Sequence, residues 1–320
     1  MANLTVAVLG EPGYAKTLGK KGTESDLAFA NLKRGTDTVT FVEPVRYPER
    51  LSSLYHAVAL ADRALVVVDA ITPAFGESSV MLQCAGITEG DLVLKNDMVM
   101  EQIQPLLRGC VLSRYPVRED HPISLRERLL LEAARMGTPP GSDAPGSLPV
   151  DHIFPVKGIG TVVLGCVAAG TIHRHETLRL LPSGKEVQVR SIQKHDDDAE
   201  GASPGDRVGV ALKGVEASEI ERGDVLTADP AILMSRELRA PATLVPWWPT
   251  PIREGMVVHL GHWMQFLPAR VTAVETGADW RQPVLTLTME RSMVHPPGRS
   301  AVLTQLEGGK LRVAGTLRLP

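Results

Sequence analysis

This 320-residue chain has few cysteines, few aromatic residues and no long apolar run. Its cysteines, Cys84, Cys110 and Cys166, lack metal-ligand spacing, so we expect reduced structural thiols and no metal site. The apolar stretches, such as residues 64–68, are too short to span a membrane. The opening MANLTVAVLG has no basic segment ahead of an apolar one, so we expect no signal peptide and a cytoplasmic protein.

The chain also lacks a strong excess of charge, because its formal net charge is −3. A strongly basic coat for nucleic acid is therefore excluded, and we expect no DNA partner. The charge is uneven, since residues 232–320 carry ten basic residues against six acidic ones. Such a region could present a surface for phosphate groups. Chance asymmetry on a solvated surface explains the same counts.

Residues 1–136 alternate short β-branched runs with amphipathic segments. Strands are predicted at 4–9, 38–42, 64–69, 91–94 and 110–112, and helices at 48–61, 77–84, 98–107 and 124–136. This alternation predicts a mostly parallel sheet covered on both faces. Residues 137–149, GTPPGSDAPGSLP, have the composition of a linker. Beyond it, short strands punctuated by Gly and Pro predict two small antiparallel barrels.

A family resemblance lies between Asp151 and Leu226, in DHIFPVKGIGTVVLGCVAAGTI, then EVQVRSIQKHD, then GDRVGVALKGVEASEIERGDVL. This segment resembles the second domain of EF-Tu-family elongation factors, and it is most similar to the selenocysteine-specific (SelB-like) branch of archaea. The resemblance implies a GTPase-like doubly wound domain over 1–136, the linker 137–149, a domain 2-like barrel over 150–231 and a domain 3-like barrel over 232–320.

The nucleotide motifs of such a family are degenerate here. A phosphate-binding loop needs G-x-x-x-x-G-K-[ST], and Gly10 to Lys16-Thr17 fits except for an alanine at the second glycine. Residues 18–22 leave no room for the helix that should follow, so we expect residues 13–20 to be that helix and the loop to be deleted. Lys16 and Thr17 are then a coincidence. The alternative is an unusual pocket around them.

The remaining nucleotide-binding motifs also depart from the family pattern. Glu24 stands where the resemblance expects the first-switch Thr, and Glu43-Pro-Val-Arg-Tyr47 replaces D-x-P-G-H. Tyr47 therefore occupies the position of the water-positioning His. Asp97 is present at the wrong spacing for guanine recognition, and residues 115–118 stand in for the last motif. We expect a nucleotide-binding remnant without catalytic residues, made up of Gly10, Lys16, Thr17, Glu43 and Asp97.

The barrel keeps the family pattern more closely. The resemblance implies contact with the acceptor end of an aminoacyl-tRNA, and the candidate residues are Lys157, Arg190, Gln193, His195 and Arg207. We expect the chain to bind aminoacyl-tRNA or a ribosome-associated RNA without efficient GTP hydrolysis and without a resident cofactor. Two alternatives stay open. One is a slow GTPase that uses GTP and Mg²⁺, and the other is a protein-interaction scaffold.

Overall fold

The computed structural model describes residues 3–136, 144–194 and 197–320. They form an α/β unit followed by two antiparallel β-barrels, which confirms the expected fold class. We call these parts the N-terminal unit, the middle barrel and the C-terminal barrel. In the described part of the chain, the helices are too short or too polar to cross a membrane.

The N-terminal unit is built on a seven-stranded sheet. Its strands are β1 (Asn3–Leu9), β2 (Lys20–Glu24), β3 (Leu27–Arg34), β4 (Asp37–Pro44), β5 (Arg63–Val68), β6 (Gly90–Leu94) and β7 (Val117–Arg118). They lie in the order β2-β3-β4-β1-β5-β6-β7. Strands β4, β1, β5, β6 and β7 pair in parallel, in that order. Strands β2 and β3 form a hairpin that pairs antiparallel with β4 at one edge of the sheet. The sheet is therefore mixed.

Helices cover both faces of this sheet, which is why its central strands are continuous apolar runs. The helices are α1 (Ala15–Leu18), α2 (Leu51–Ala59), α3 (Pro73–Ala85), α4 (Met100–Leu107) and α5 (Pro122–Met136). On one face, Leu18 of α1 and Leu129 of α5 are buried with Val6. On the other, Leu54 of α2 is buried with Leu9.

Three features of this unit differ from the sequence-based expectation. Residues 110–112, expected as a strand, lead into the 3-10 turn Val111–Arg114, and β7 is the last strand of the sheet. The helix expected over 13–20 is the single turn α1. The β2–β3 hairpin was not expected, because all five residues of β2, KKGTE, are exposed and show no apolar alternation.

The described residues of the middle barrel form nine strands, of which six close the ring. The strands are β8 (Ser147–Val156), β9 (Gly160–Cys166), β10 (Ile172–His173), β11 (Thr177–Leu181), β12 (Lys185–Lys194), β13 (Asp197–Ala199), β14 (Gly201–Ala202), β15 (Arg207–Lys213) and β16 (Val225–Thr227). The ring runs β11-β16-β8-β9-β15-β12 and closes by pairing β11 with β12. Strand β8 begins inside the segment predicted as a linker, and residues 137–143 of that segment lie outside the described residues.

The C-terminal barrel is closed by six strands. They are β17 (Leu233–Leu244), β18 (Val257–His262), β19 (Gln265–Glu275), β20 (Val284–His295), β21 (Ser300–Thr304) and β22 (Val313–Arg318), in the order β17-β20-β19-β18-β21-β22. Its interior residues Leu260 and Leu287 belong to the same apolar cluster as Leu54 and Met81 of the N-terminal unit. These two parts therefore share one continuous core.

Candidate functional site

The loop between β1 and α1 lies where the sequence predicts a nucleotide-binding remnant. Gly10 has φ +106°, and a Cβ there would lie 1.9 Å from the Val67 carbonyl oxygen, so the loop packs directly on β5. Gly13 also has positive φ, at +83°, and turns the chain into α1. Both positions favour glycine for this reason. The start of the loop is thus held close to the sheet at Gly10.

The backbone N–H groups of this loop donate hydrogen bonds to a carboxylate of the protein itself. Glu43 lies near the end of β4, is 6% exposed, and accepts a hydrogen bond from the Gly13 N–H. Burial raises the pKa of Glu43, although the N–H groups of Gly13, Ala15 and Tyr14 counteract part of that rise. A negative group from the chain itself therefore fills the position at which such a loop would receive an anion.

The nearby Lys16 ammonium also counteracts part of the rise in the Glu43 pKa, while the polar groups of Lys16 and Thr17 contact Glu24 and Tyr14. The Lys16 side chain is 53% exposed, and its Nζ lies 3.9 Å from Glu24 Oε2. The Thr17 hydroxyl donates to the Tyr14 carbonyl oxygen at 2.7 Å within α1. The ion pair between Lys16 and Glu24 is therefore long and exposed to solvent, and the Thr17 hydroxyl is hydrogen-bonded within its own helical turn.

Ion pairs connect the loop to the carboxyl ends of β6 and β7. Lys95, just after β6, places its Nζ 2.6 Å from Glu11 Oε2 and 3.5 Å from Asp120 Oδ2. The Tyr14 hydroxyl donates to Asp120 Oδ1 at 2.6 Å, and the Lys95 Nζ lies 5.6 Å from the Tyr14 ring centroid. Asp97 is exposed and has φ +57°, outside this cluster.

Asp120 is a site residue that the sequence analysis missed. Residues 115–118 were expected to stand in for the last nucleotide motif, but Tyr115 is buried and donates its hydroxyl to the Ile87 carbonyl. Arg118 pairs with Asp91, at 3.0 Å from its Oδ1. It is Asp120, after β7, that reaches the loop. The signal available in the sequence was the acidic pair that directly follows the strand.

Tyr47 belongs to the contact with the C-terminal barrel. Its hydroxyl donates to the Ala74 carbonyl at 2.9 Å and lies 3.2 Å from Glu77 Oε2. Glu77 is 4% exposed and is held by Arg312 of the C-terminal barrel, whose Nη2 lies 2.6 Å from Oε2. The tyrosine side chain is therefore fixed in an interface between two parts of the molecule.

The turn of the β2–β3 hairpin is fixed on the middle barrel. Arg222 makes two hydrogen bonds to Asp26, at 2.6 and 2.9 Å, and donates from Nε to the Asp151 carbonyl. Ser25 Oγ lies 3.1 Å from His152 Nε2. Arginine pairing strongly lowers the pKa of Asp26 against the opposing effect of its burial. We call the Asp26–Arg222 pair the hairpin latch.

Behind the latch, Asp151 is buried and takes a two-pronged contact from Arg207. Burial opposes ionisation of Asp151, but Arg207 and His152 outweigh it and hold its pKa at about 2. The Arg207 guanidinium carbon also lies 4.1 Å from the Phe29 ring centroid. Arg207 is therefore committed to Asp151 and Phe29 rather than presented freely on the surface.

The other predicted acceptor-end residues are dispersed over the middle barrel. Lys157 is exposed in the turn after β8. Arg190 is exposed on β12 and donates to the Ile159 carbonyl at 2.9 Å, and Gln193 donates to Asp198 at 3.1 Å. His195 lies outside the described residues. Arg190 thus contacts the turn that carries Lys157. Arg207 lies apart from them, in the contact between the middle barrel and the N-terminal unit.

Comparisons with known proteins point to one family. The model of the family "Elongation factor Tu domain 2" matches residues 160–227. An uncharacterized protein of Methanocaldococcus jannaschii is 35% identical over 259 residues, covering 80% of this chain and 82% of that protein. The selenocysteine-specific elongation factor of the same organism is 27% identical over 289 residues, and the match covers 83% of this chain and 61% of that factor.

Solved structures show the same fold over the whole chain. The elongation factor SelB of Methanococcus maripaludis, in complex with the GTP analogue GppNHp, superimposes with a TM-score of 0.83 at 22% identity. That match covers 100% of this chain and 79% of the SelB chain. A bacterial selenocysteine-specific factor gives a TM-score of 0.80 at 17% identity. At these identities the likeness concerns the fold.

Proposed function

Because this chain belongs to the EF-Tu/SelB-like family of translation elongation factors, we propose that it binds an aminoacyl-tRNA or a ribosome-associated RNA without GTP-driven cycling. The RNA half of this proposal rests on the family and on the retained middle barrel. The nucleotide half rests on the loop 10–14 and its surroundings. The two halves are testable separately.

The observation that carries the nucleotide half is the contact between Glu43 and the Gly13 N–H. A bound phosphate needs these N–H groups and a neighbouring cation. Here the N–H groups already serve a buried carboxylate, and a phosphate placed beside it would meet a like charge in a region of low dielectric. Binding would therefore require Glu43 to leave the loop or to take up a proton.

The cluster of Lys95, Glu11 and Asp120 supports the same half. These ion pairs cross from the loop to the ends of β6 and β7, where a nucleoside would have to lie between them. Tyr47, at the position of the catalytic His, is committed to Ala74 and Glu77. A phenol hydroxyl in that contact is not available to orient an attacking water.

The hairpin latch supports RNA binding that is independent of nucleotide. The segment that resembles the first switch is the β2–β3 hairpin, and Arg222 fixes its turn to the middle barrel through Asp26. The relative position of these two parts is thus set by protein contacts. A protein built in this way would hold its RNA-facing surfaces in one arrangement at all times.

A nucleotide titration tests the first half. Fluorescent GDP and GTP with Mg²⁺ are titrated into the wild type, Glu43→Ala and Lys16→Ala. We expect no saturable binding to the wild type at micromolar concentrations. Micromolar binding to the wild type that is lost in Lys16→Ala would contradict the proposal and favour the slow GTPase. Weak binding gained only by Glu43→Ala would support the assignment of Glu43 as the group that fills the loop.

A further inference from the structure

We propose that the cleft between the middle barrel and the C-terminal barrel binds a small zwitterion, a molecule that carries both an ammonium and a carboxylate, as a free amino acid does. The cleft has a volume of about 640 Å³. Its walls come from the turns after β9 and β16 on one side and from the β18–β19 and β20–β21 turns on the other. The described residues that line it include none of the predicted nucleotide-binding or acceptor-end residues.

His262 lines this cleft and carries an acceptor without a partner. It is the last residue of β18, is 7% exposed, and places its Nδ1 3.2 Å from the Ser300 carbonyl oxygen. A carbonyl oxygen only accepts hydrogen bonds, so Nδ1 carries the proton and Nε2 carries a lone pair. Nε2 is buried and has no hydrogen-bond partner among the described residues. Because an unsatisfied buried polar atom is costly, a ligand that donates to Nε2 would stabilise the site.

The His262 imidazole stays neutral at physiological pH, so Nε2 keeps its lone pair. Burial lowers the pKa of His262 to about 4, and the nearby His295 and Arg299 act in the same direction against the hydrogen bond to Ser300. The site therefore requires an N–H or O–H donor from its ligand. An ammonium has three such donors.

Trp263, the next residue, has a strained backbone. It is the first residue of the two-residue turn between β18 and β19, and its φ is +50°. Glycine is favoured at such a position, because a positive φ is unfavourable for a large side chain. The indole lines the cleft, and its ring centroid lies 4.8 Å from that of His262. Strained residues of this kind cluster at ligand sites, and the face of an indole attracts an ammonium.

Two opposite charges line the cleft without pairing. They are Asp229 of the middle barrel and Arg299 of the C-terminal barrel, and neither forms an ion pair within the part of the chain that the structure describes. Asp229 Oδ1 accepts a hydrogen bond from the Ala231 N–H at 2.9 Å, which fixes this carboxylate in its turn. Arg299 is exposed, and its planar guanidinium matches a carboxylate with two parallel hydrogen bonds.

A ligand with both charges satisfies these groups together. Its ammonium would bind Asp229, donate to His262 Nε2 and lie against the indole, and its carboxylate would bind Arg299. A phosphate would be repelled by Asp229, and a simple amine would leave Arg299 unpaired. An aminoacyl ester has no free carboxylate, so this inference goes beyond the proposed function and does not depend on it.

Isothermal titration calorimetry on the whole chain tests the inference. The standard L-amino acids are titrated one at a time at millimolar concentrations, and each one that binds is compared with its methyl ester and its N-acetyl derivative. The variants Asp229→Asn and Arg299→Gln remove a charge and keep a polar side chain. Asp279→Asn and Arg253→Gln are the controls, because both residues are exposed and lie outside the cleft. Asp279 Oδ1 also accepts from the N–H two residues later, that of Arg281, at 2.9 Å.

We expect at least one amino acid to bind with a Kd below about 1 mM. Its methyl ester and its N-acetyl derivative should each bind about 10-fold more weakly, as should the amino acid to Asp229→Asn and to Arg299→Gln. The two controls should bind as the wild type does. Trp263→Gly should also weaken binding while the turn still forms, because its φ suits glycine.

Three results would each overturn the inference. One is the absence of binding for every amino acid. Another is a methyl ester that binds as tightly as its amino acid, since Arg299 would then read no carboxylate. The third is equal affinity in Asp229→Asn and Arg299→Gln and in their controls, since binding would then take place elsewhere.

Discussion

At the scale of single residues, glycine and buried charge shape the loop that follows β1. Gly10 allows the loop to press on β5, and Glu43 then reaches the N–H groups of Gly13 and its neighbours. The first of these features was visible in the sequence as a glycine at the end of a strand. The second was not, because 30 positions separate Glu43 from Gly13 and no local spacing joins them.

Gly10→Ala should destabilise the protein by at least about 3 kcal/mol, through a clash with the Val67 carbonyl and a strained φ. Gly35→Ala is the matched control, because Gly35 has φ +60° and, apart from its two chain neighbours, no described residue has an atom within 4 Å of where its Cβ would stand. It should cost only about 1 kcal/mol. Urea unfolding at neutral pH measures both, and equal losses would contradict the close packing of the loop.

His56 should make stability fall with acid. Burial and the nearby Arg222 lower the pKa of this imidazole to about 4, so the folded protein keeps it neutral. Its unfolded pKa is about 6.5, so the unfolded chain takes up the proton first as pH falls, and stability is lost between about pH 6.5 and 4. The loss should be roughly 2 kcal/mol between pH 7 and 5.

Unfolding curves for the wild type and His56→Gln at both pH values check this prediction. Carboxylates that do not interact with His56 titrate alike in the two proteins, so the difference between their pH slopes reports His56 together with its coupling to Asp26 and Asp151. The assignment fails if His56→Gln loses as much stability on acidification as the wild type does.

At the scale of elements, the strands and helices that carry apolar patterns were predictable, and the β2–β3 hairpin was not. Strands β1, β4, β5 and β6 are buried runs of the kind that a parallel sheet requires. Strand β2 has no buried residue, so no apolar pattern in it indicates its pairing. It pairs with β3, the strand that follows it in the chain. Its contact with the middle barrel depends on Asp26 and Arg222, which lie 196 positions apart.

The hairpin latch should be energetically coupled. The Asp26 and Arg222 side chains are 20% and 26% exposed, and they make two hydrogen bonds. A double-mutant cycle with Asp26→Ala and Arg222→Ala should give a coupling energy of about 1–3 kcal/mol.

The control cycle uses Arg239 and Glu275, which make a similar two-pronged pair with side chains 62% and 58% exposed. That pair should couple by less than about 1 kcal/mol because solvent screens it. Equal coupling energies in the two cycles would mean that the latch does not stabilise the hairpin against the barrel.

At the scale of the whole molecule, the N-terminal unit and the C-terminal barrel share one apolar core. Within it, Tyr55 of the N-terminal unit packs against Gly261 of the C-terminal barrel. The Tyr55 hydroxyl donates to the Trp263 carbonyl at 2.8 Å, and its ring packs against Gly261. The sequence predicted three parts, but it could not predict this contact. Tyr55 carries no signal beyond that of a core residue on a helix.

This contact gives a prediction for the whole molecule. A Cβ at residue 261 would lie 2.3 Å from the Tyr55 ring, so Gly261→Ala should separate the two parts and cost roughly 3 kcal/mol. Tyr55→Phe keeps the ring, loses one hydrogen bond and should cost about 1 kcal/mol. Calorimetry should show that Gly261→Ala divides the unfolding transition while Tyr55→Phe does not. A single transition in Gly261→Ala would mean that the Tyr55–Gly261 contact is not what joins the two parts.

The most direct test of the account is the protection of aminoacyl-tRNA from spontaneous hydrolysis. The ester half-life is measured for a set of aminoacyl-tRNAs with the wild-type protein, without nucleotide and with GTP and Mg²⁺. We predict that at least one aminoacyl-tRNA is protected, to the same extent in both conditions, and that deacylated tRNA competes weakly. Protection that requires GTP would contradict the account in favour of a cycling GTPase. Absence of protection for every aminoacyl-tRNA would contradict it in favour of a scaffold that does not hold the acceptor end.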